Sequence, residues 1–89
     1  MDVPRRSIIR EEDFEEQLRA LIPNAEEADD FTMAAESILA EEPEAGLPAS
    51  RDGLTWYLPM QPVGGRRVSL FYAFDDEKVV FLFIVAFDD

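Results

Sequence analysis

The end of this chain constrains its fold most. From Val79 to Phe87 it reads Val-Val-Phe-Leu-Phe-Ile-Val-Ala-Phe, nine apolar residues in a row, most of them β-branched or aromatic. Such side chains lose rotamer freedom against a helical turn and fit a pleated surface, so the run is expected to be a strand. It is far shorter than the ~20 apolar residues that a membrane-spanning helix needs. Val68 to Phe74, just before it, alternates in the manner of a second strand, and Asp75-Asp76-Glu77-Lys78 between the two is the polar hinge of a hairpin. Because the last run has no polar face, it is expected to be central in a sheet and covered on both sides.

The first half has a different period. Arg5 to Arg10 contains Ile8 and Ile9 and suits a short strand, and the acidic residues that follow suit a helix N-terminus. From Glu11 to Ile22, residues Phe14, Leu18, Leu21 and Ile22 form one stripe of a helix that Pro23 ends. Asn24 can cap a second helix, with Glu27 placed to complete a capping box. Behind it Ala28, Phe31, Ala35, Ile38 and Leu39 make another stripe, which stops near Glu42 because Pro43 cannot continue a helix. Two helices joined this closely form a hairpin. Residues 43 to 53 carry prolines, glycines and small side chains and are expected to be a connecting loop. Leu54 to Met60 reads as a strand in which Pro59 demands an edge or a bulge, and Gln61 to Gly65 as a turn.

At 89 residues the chain has material for one hydrophobic core, so residues 1–89 are expected to form a single domain. There is no cysteine and no histidine, which removes disulfides, thiolate nucleophiles, imidazole bases and the usual zinc ligands together. The net charge of −12 is not spread evenly: residues 11 to 45 hold thirteen acids and one base, Arg19, while acids and bases elsewhere cancel. Phosphate backbones are repelled by such a helical surface, so direct nucleic-acid binding is disfavoured. The N-terminus has no apolar run of signal-peptide length, and a cytoplasmic location is expected.

The order β-α-α-β-β-β, the acidic helix EEADDFTMAAESILAEEPEAG with its Pro/Gly exit, and the ending VSLFYAFDDEKVVFLFIVAFDD together resemble the RelE/ParE superfamily of toxins from toxin–antitoxin modules. The resemblance spans nearly the whole chain, and its most specific piece is the final hairpin, Tyr72 followed by Asp75 to Val80 and the apolar strand. It implies an α+β fold in which a helical hairpin packs on one face of a small, mainly antiparallel, curved sheet, with the function on the other face. RelE-like members that cleave messenger RNA do so with basic residues on the sheet, which position phosphate and stabilise developing charge. Here the second strand has Trp56, Tyr57, Leu58, Pro59 and Met60 in place of lysine-bearing positions, Ser69 stands where an arginine is expected, and Asp88 and Asp89 replace basic residues at the end of the last strand. A C-terminal tail with another catalytic group is not expected. The resemblance thus implies the module but carries over no ribonuclease site. ParE-like members act by protein contact and need no such site.

Candidate chemistry is sparse. Arg66 and Arg67 follow Gly64-Gly65 and could form an anion-reading corner, and with Arg51 and Tyr57 they are the residues from which a divergent endonuclease would have to be built. Each of the three arginines is also an ordinary solvated loop residue. Carboxylate groups such as Glu11-Glu12, Glu26-Glu27-Asp29-Asp30 and Asp75-Asp76 match no cation-binding loop and suit solubilising charge or turn chemistry. No metal or cofactor is expected. Strict alternation along the last strand would separate Val80, Leu82 and Ile84 from Phe81, Phe83 and Val85, and the resemblance implies that the first set, with Leu70, meets the helices. It would leave Phe71, Phe81, Phe83 and Val85 on the opposite face, where an exposed apolar patch implies a partner, either an antitoxin-like protein or a second copy of the chain. Cover by loop 43 to 53 or by the N-terminal arm is the alternative. Three functions follow: a toxin-module protein working through protein contacts without nuclease activity, a divergent ribosome-dependent messenger-RNA endonuclease, and an acidic nucleic-acid mimic that blocks a basic protein.

Overall fold

The hydrophobic stripes read from the first half bury themselves as amphipathic helices do. In the computed structural model, which describes residues 5–87, strand β1 (Ser7–Arg10) leads into helix α1 (Glu12–Leu21) and helix α2 (Ala25–Leu39). Asn24 caps α2 by accepting a hydrogen bond from the Glu27 amide at 3.0 Å, which satisfies one of the amides that a helix start leaves unpaired. Phe14 and Leu18 of α1, Ile22 just beyond it, and Phe31, Ala35 and Leu39 of α2 are buried. Thr32 is buried too, its hydroxyl donating to the Ala28 carbonyl at 2.8 Å.

After a short 3-10 turn (Pro43–Ala45) come β2 (Leu47–Pro48), β3 (Trp56–Val63), β4 (Arg66–Phe74) and β5 (Lys78–Phe87). The five strands form one sheet in the order β1-β5-β4-β3-β2, with β1 parallel to β5 and the other pairs antiparallel. This is the α+β arrangement, with the helices on one face of a mainly antiparallel sheet. Two boundaries move. The loop from Pro43 contributes the two-residue edge strand β2. Strand β3 runs past Met60 to Val63 through a register shift, so the turn shrinks to Gly64-Gly65, whose φ angles of 59° and 78° are those glycine tolerates in a tight hairpin turn. Pro59 falls in the part of β3 beyond the reach of β2, where its missing N–H interrupts no ladder on that side.

Strand β5 lies between β1 and β4, but the helices cover one of its faces rather than two. The reason for its lack of a polar face is therefore not burial on both sides. Its alternation is also broken. Phe71 pairs with Phe83 while Tyr72 pairs with Phe81, which leaves Leu82 as an extra residue in a β-bulge. The bulge overturns the facing expected from strict alternation. Val79 and Phe81 before it and Ile84 after it point into the core, whereas Val80 and Leu82 do not join that core. Phe81 is fully buried, edge-on to Phe14 with ring centroids 5.3 Å apart. Beside the bulge, Gln17 of α1 accepts a hydrogen bond from the Ile84 amide at 2.6 Å.

Loop 43 to 53 closes the helix side of the sheet at one end. The buried Tyr72 hydroxyl donates to the Pro43 carbonyl at 2.5 Å and accepts from the Gly46 amide at 3.2 Å. A side chain at Gly46 would collide with this hydroxyl and with the Tyr57 carbonyl, so only glycine fits. Burial pushes the Tyr72 phenol above its ordinary value. Asp88 and Asp89 lie outside the described residues, as do residues 1–4 of the N-terminal arm.

Candidate functional site

Which side chains share the free face of the sheet follows from the strand registers, because directly paired residues point the same way. Leu47 pairs with Tyr57, Tyr57 with Phe71, Phe71 with Phe83, and, past the bulge, Ala73 with Val80 and Val80 with Ile9. An apolar band thus crosses all five strands on the side away from the helices. Its centre is a stack of rings: Tyr57 lies on Phe71 with centroids 5.6 Å apart, and Phe71 on Phe83 at 4.7 Å with planes inclined by 14°. Val85, opposite Ser69, extends the band toward Phe87. Tyr57, Phe71, Phe83 and Val85 are half-buried, and Leu47, Ile9 and Phe87 keep 50%, 43% and 43% of their surface exposed. Tyr72 and its hydrogen bonds hold the 43–46 segment against the opposite, helix-bearing side, so that segment does not cover the band.

Of the apolar residues assigned to this face from sequence, Phe71, Phe83 and Val85 lie on it and Phe81 does not, for the bulge turns Phe81 inward. Ile9, Leu47 and Tyr57 were missed as members. Tyr57 was legible: it alternates with Trp56 and Leu58, which pack toward the core, so its ring had to point the other way.

The basic candidates do not converge. Arg51 is exposed on a turn ahead of β3, in which the Ser50 hydroxyl and the Leu54 amide both donate to the Asp52 carboxylate, at 2.5 and 3.0 Å. These bonds hold the Asp52 carboxyl below its ordinary value. Arg66 and Arg67 begin β4 at the far end of β3, an eight-residue strand away; that separation is roughly 25 Å at the usual strand rise. Tyr57 sits within the aromatic stack. A cluster that could position a phosphate and stabilise charge on it needs such groups within a few ångströms of one reacting centre. Among the described residues no group of three or more acids converges as a metal site would require, and no helix is long and apolar enough to cross a membrane.

No protein-family model matches the sequence, and no curated protein sequence matches it. Among solved structures, the chain is similar to a chain of the toxin–antitoxin complex RelBE2 from Mycobacterium tuberculosis, with 23% identity and a TM-score of 0.72 over 99% of this chain and 98% of that one. At that identity the likeness speaks for the fold. The helical hairpin on one face of the sheet, the strand order and this match together give the chain the fold of RelE-type toxins.

Proposed function

We propose that this chain is a toxin-module protein that works in the cytoplasm by protein–protein contact through the open face of its sheet, with an antitoxin-like protein as its partner and without ribonuclease activity. The observation that carries the reading is the band from Leu47 through the Tyr57–Phe71–Phe83 stack to Ile9: an apolar surface continuous over five strands, left uncovered by both helices. Contiguous apolar surface of this kind is what protein interfaces bury, aromatic residues above all. The fold supports a partner as well, since the similar structure is that of a two-component toxin–antitoxin complex. The separation of Arg51 from Arg66 and Arg67 supports action without RNA cleavage.

Induced expression in bacteria tests the proposal. The wild-type chain is expected to slow growth, Phe71→Glu and Phe83→Glu to abolish the effect while the circular dichroism spectrum at the growth temperature stays that of the folded chain, and Arg66→Ala/Arg67→Ala to retain it. Absence of any growth effect, or loss of the effect together with messenger-RNA cleavage in the double arginine variant alone, would overturn the reading. If the purified chain sediments as a dimer that Phe83→Glu dissociates, the face is occupied by a second copy instead of an antitoxin-like protein.

A further inference from the structure

A second surface lies on the helix side of the sheet. Where β3 runs on beyond β2, α2 and the outer part of β3 diverge and leave an open groove of about 530 Å³. Its lining mixes apolar and polar groups: Ile22 and Phe31 at one end, Ala34 in the middle and Ile38 at the other end, with Met60, Gln61 and Val63 of β3 across from them. Ile38, which falls in the apolar stripe of α2, is 43% exposed and lines this groove. Glu27 and Asp30 form the helical rim, and no basic residue lines the groove among the described residues. The rim belongs to the acidic segment 11 to 45, so the field around the groove is negative well beyond these two carboxylates.

These features select an occupant. The outer edge of β3 bears Pro59 and Pro62, which offer no N–H, so an extended chain added alongside would meet an interrupted ladder. A helix needs no such ladder, because its own backbone is satisfied internally and it docks by side chains. From Glu27 to Ile38 the groove follows α2 for twelve residues, or about 16 Å over the eleven rises of 1.5 Å between them, the length of three helical turns. The small side chain of Ala34 leaves the middle of that path open to a bulky apolar anchor. We infer that this groove binds an amphipathic helix of a partner protein whose apolar stripe fills the floor and whose flanks are rich in lysine and arginine. The partner's binding segment is therefore cationic, opposite in sign to the helices it meets. Nucleic acids and anionic membrane surfaces are disfavoured by the same charge. The inference goes beyond the open-face reading and can fail without it, since the two surfaces lie on opposite sides of the sheet.

The test uses the full chain and three synthetic peptides of about fourteen residues, long enough for an amphipathic stripe. The first has leucines at helical spacing flanked by lysines, the second has glutamate for every lysine, and the third has the composition of the first in an order that destroys the stripe. Binding is followed by fluorescence anisotropy at physiological salt and mapped by amide chemical shifts. The lysine peptide is expected to shift Ala34, Ile38, Met60 and Val63 and to bind about tenfold or more tightly than either other peptide, a difference of ~1.4 kcal/mol or more. Ala34→Arg, which fills the groove from an exposed position, and the charge reversal Glu27→Lys/Asp30→Lys are each expected to remove most of that advantage with the circular dichroism spectrum unchanged. Equal binding of the scrambled peptide, shifts centred on α1 or on Phe71 and Phe83, indifference to both variants, or no binding at all would overturn the inference.

Discussion

Phe81 and Phe83 are neighbours in one strand, chemically identical and two positions apart, yet one is fully buried against Phe14 and the other lies stacked on Phe71 at the open face. In an unbroken strand they would share a side. The extra residue Leu82 separates them, and with them the two surfaces of the sheet: a helix-covered side that holds the molecule together and an uncovered side that the chain keeps apolar. The contrast divides the apolar residues of β5 into those that join the core and those that face away from the helices, and one bulge determines which residue lies on which side.

The sharpest attack on this contrast is truncation on each side. Phe81→Ala removes a ring from a packed site and is expected to cost about 3–5 kcal/mol, whereas Phe83→Ala, at a half-buried site stacked on Phe71, is expected to cost about 1–2 kcal/mol. Urea unfolding monitored by circular dichroism measures both, and equal losses would mean that the two faces are equally covered. A smaller effect is expected from the bulge itself. Gln17→Ala deprives the Ile84 amide of its acceptor beside the irregular pair and should lower stability by about 1–2 kcal/mol. It should also raise the hydrogen-exchange rate of Ile84 more than that of Val79; uniform exchange along β5 would show that α1 does not support the bulge.

The smallest effect is expected at the hinge between β4 and β5. Asp75 accepts hydrogen bonds from the amides of Glu77 and Lys78 at 2.8 and 2.9 Å, and these hold its carboxyl below the ordinary value of 3.8. A carboxyl whose value is lower in the folded state contributes its full stabilisation above the unfolded value and loses it as pH falls through the folded one. Thermal midpoints of the wild type and Asp75→Asn should therefore differ slightly at pH 6 and converge on acidification toward pH 2. A gap that stays constant with pH would remove the carboxylate from the account of this turn.

Much of the architecture was legible from local pattern. The stripes of Phe14, Leu18 and Ile22 and of Phe31, Ala35 and Leu39 face the core as their spacing requires, and Asn24 caps α2 through its side chain. The open face was legible in part: Phe71, Phe83 and Val85 could be placed by alternation, but Phe81 could not, because a bulge leaves no mark in an all-apolar run where every residue is compatible with either side. The groove beside α2 was invisible for a related reason. Ile38 continues the stripe, and that it lines a groove with β3 depends on two elements far apart in sequence.

The amino-acid sequence alone settles the periodicity, the turn residues and the segregation of charge, since each depends on neighbours within a few positions. It thereby determines two acidic amphipathic helices, a terminal hairpin and the absence of thiol and imidazole chemistry. The tertiary structure decides which side of β5 each ring occupies, how far apart Arg51 and Arg66 come to rest, and where α2 leaves the sheet uncovered. Those are matters of register and separation between distant segments, and they are set by packing the whole core at once.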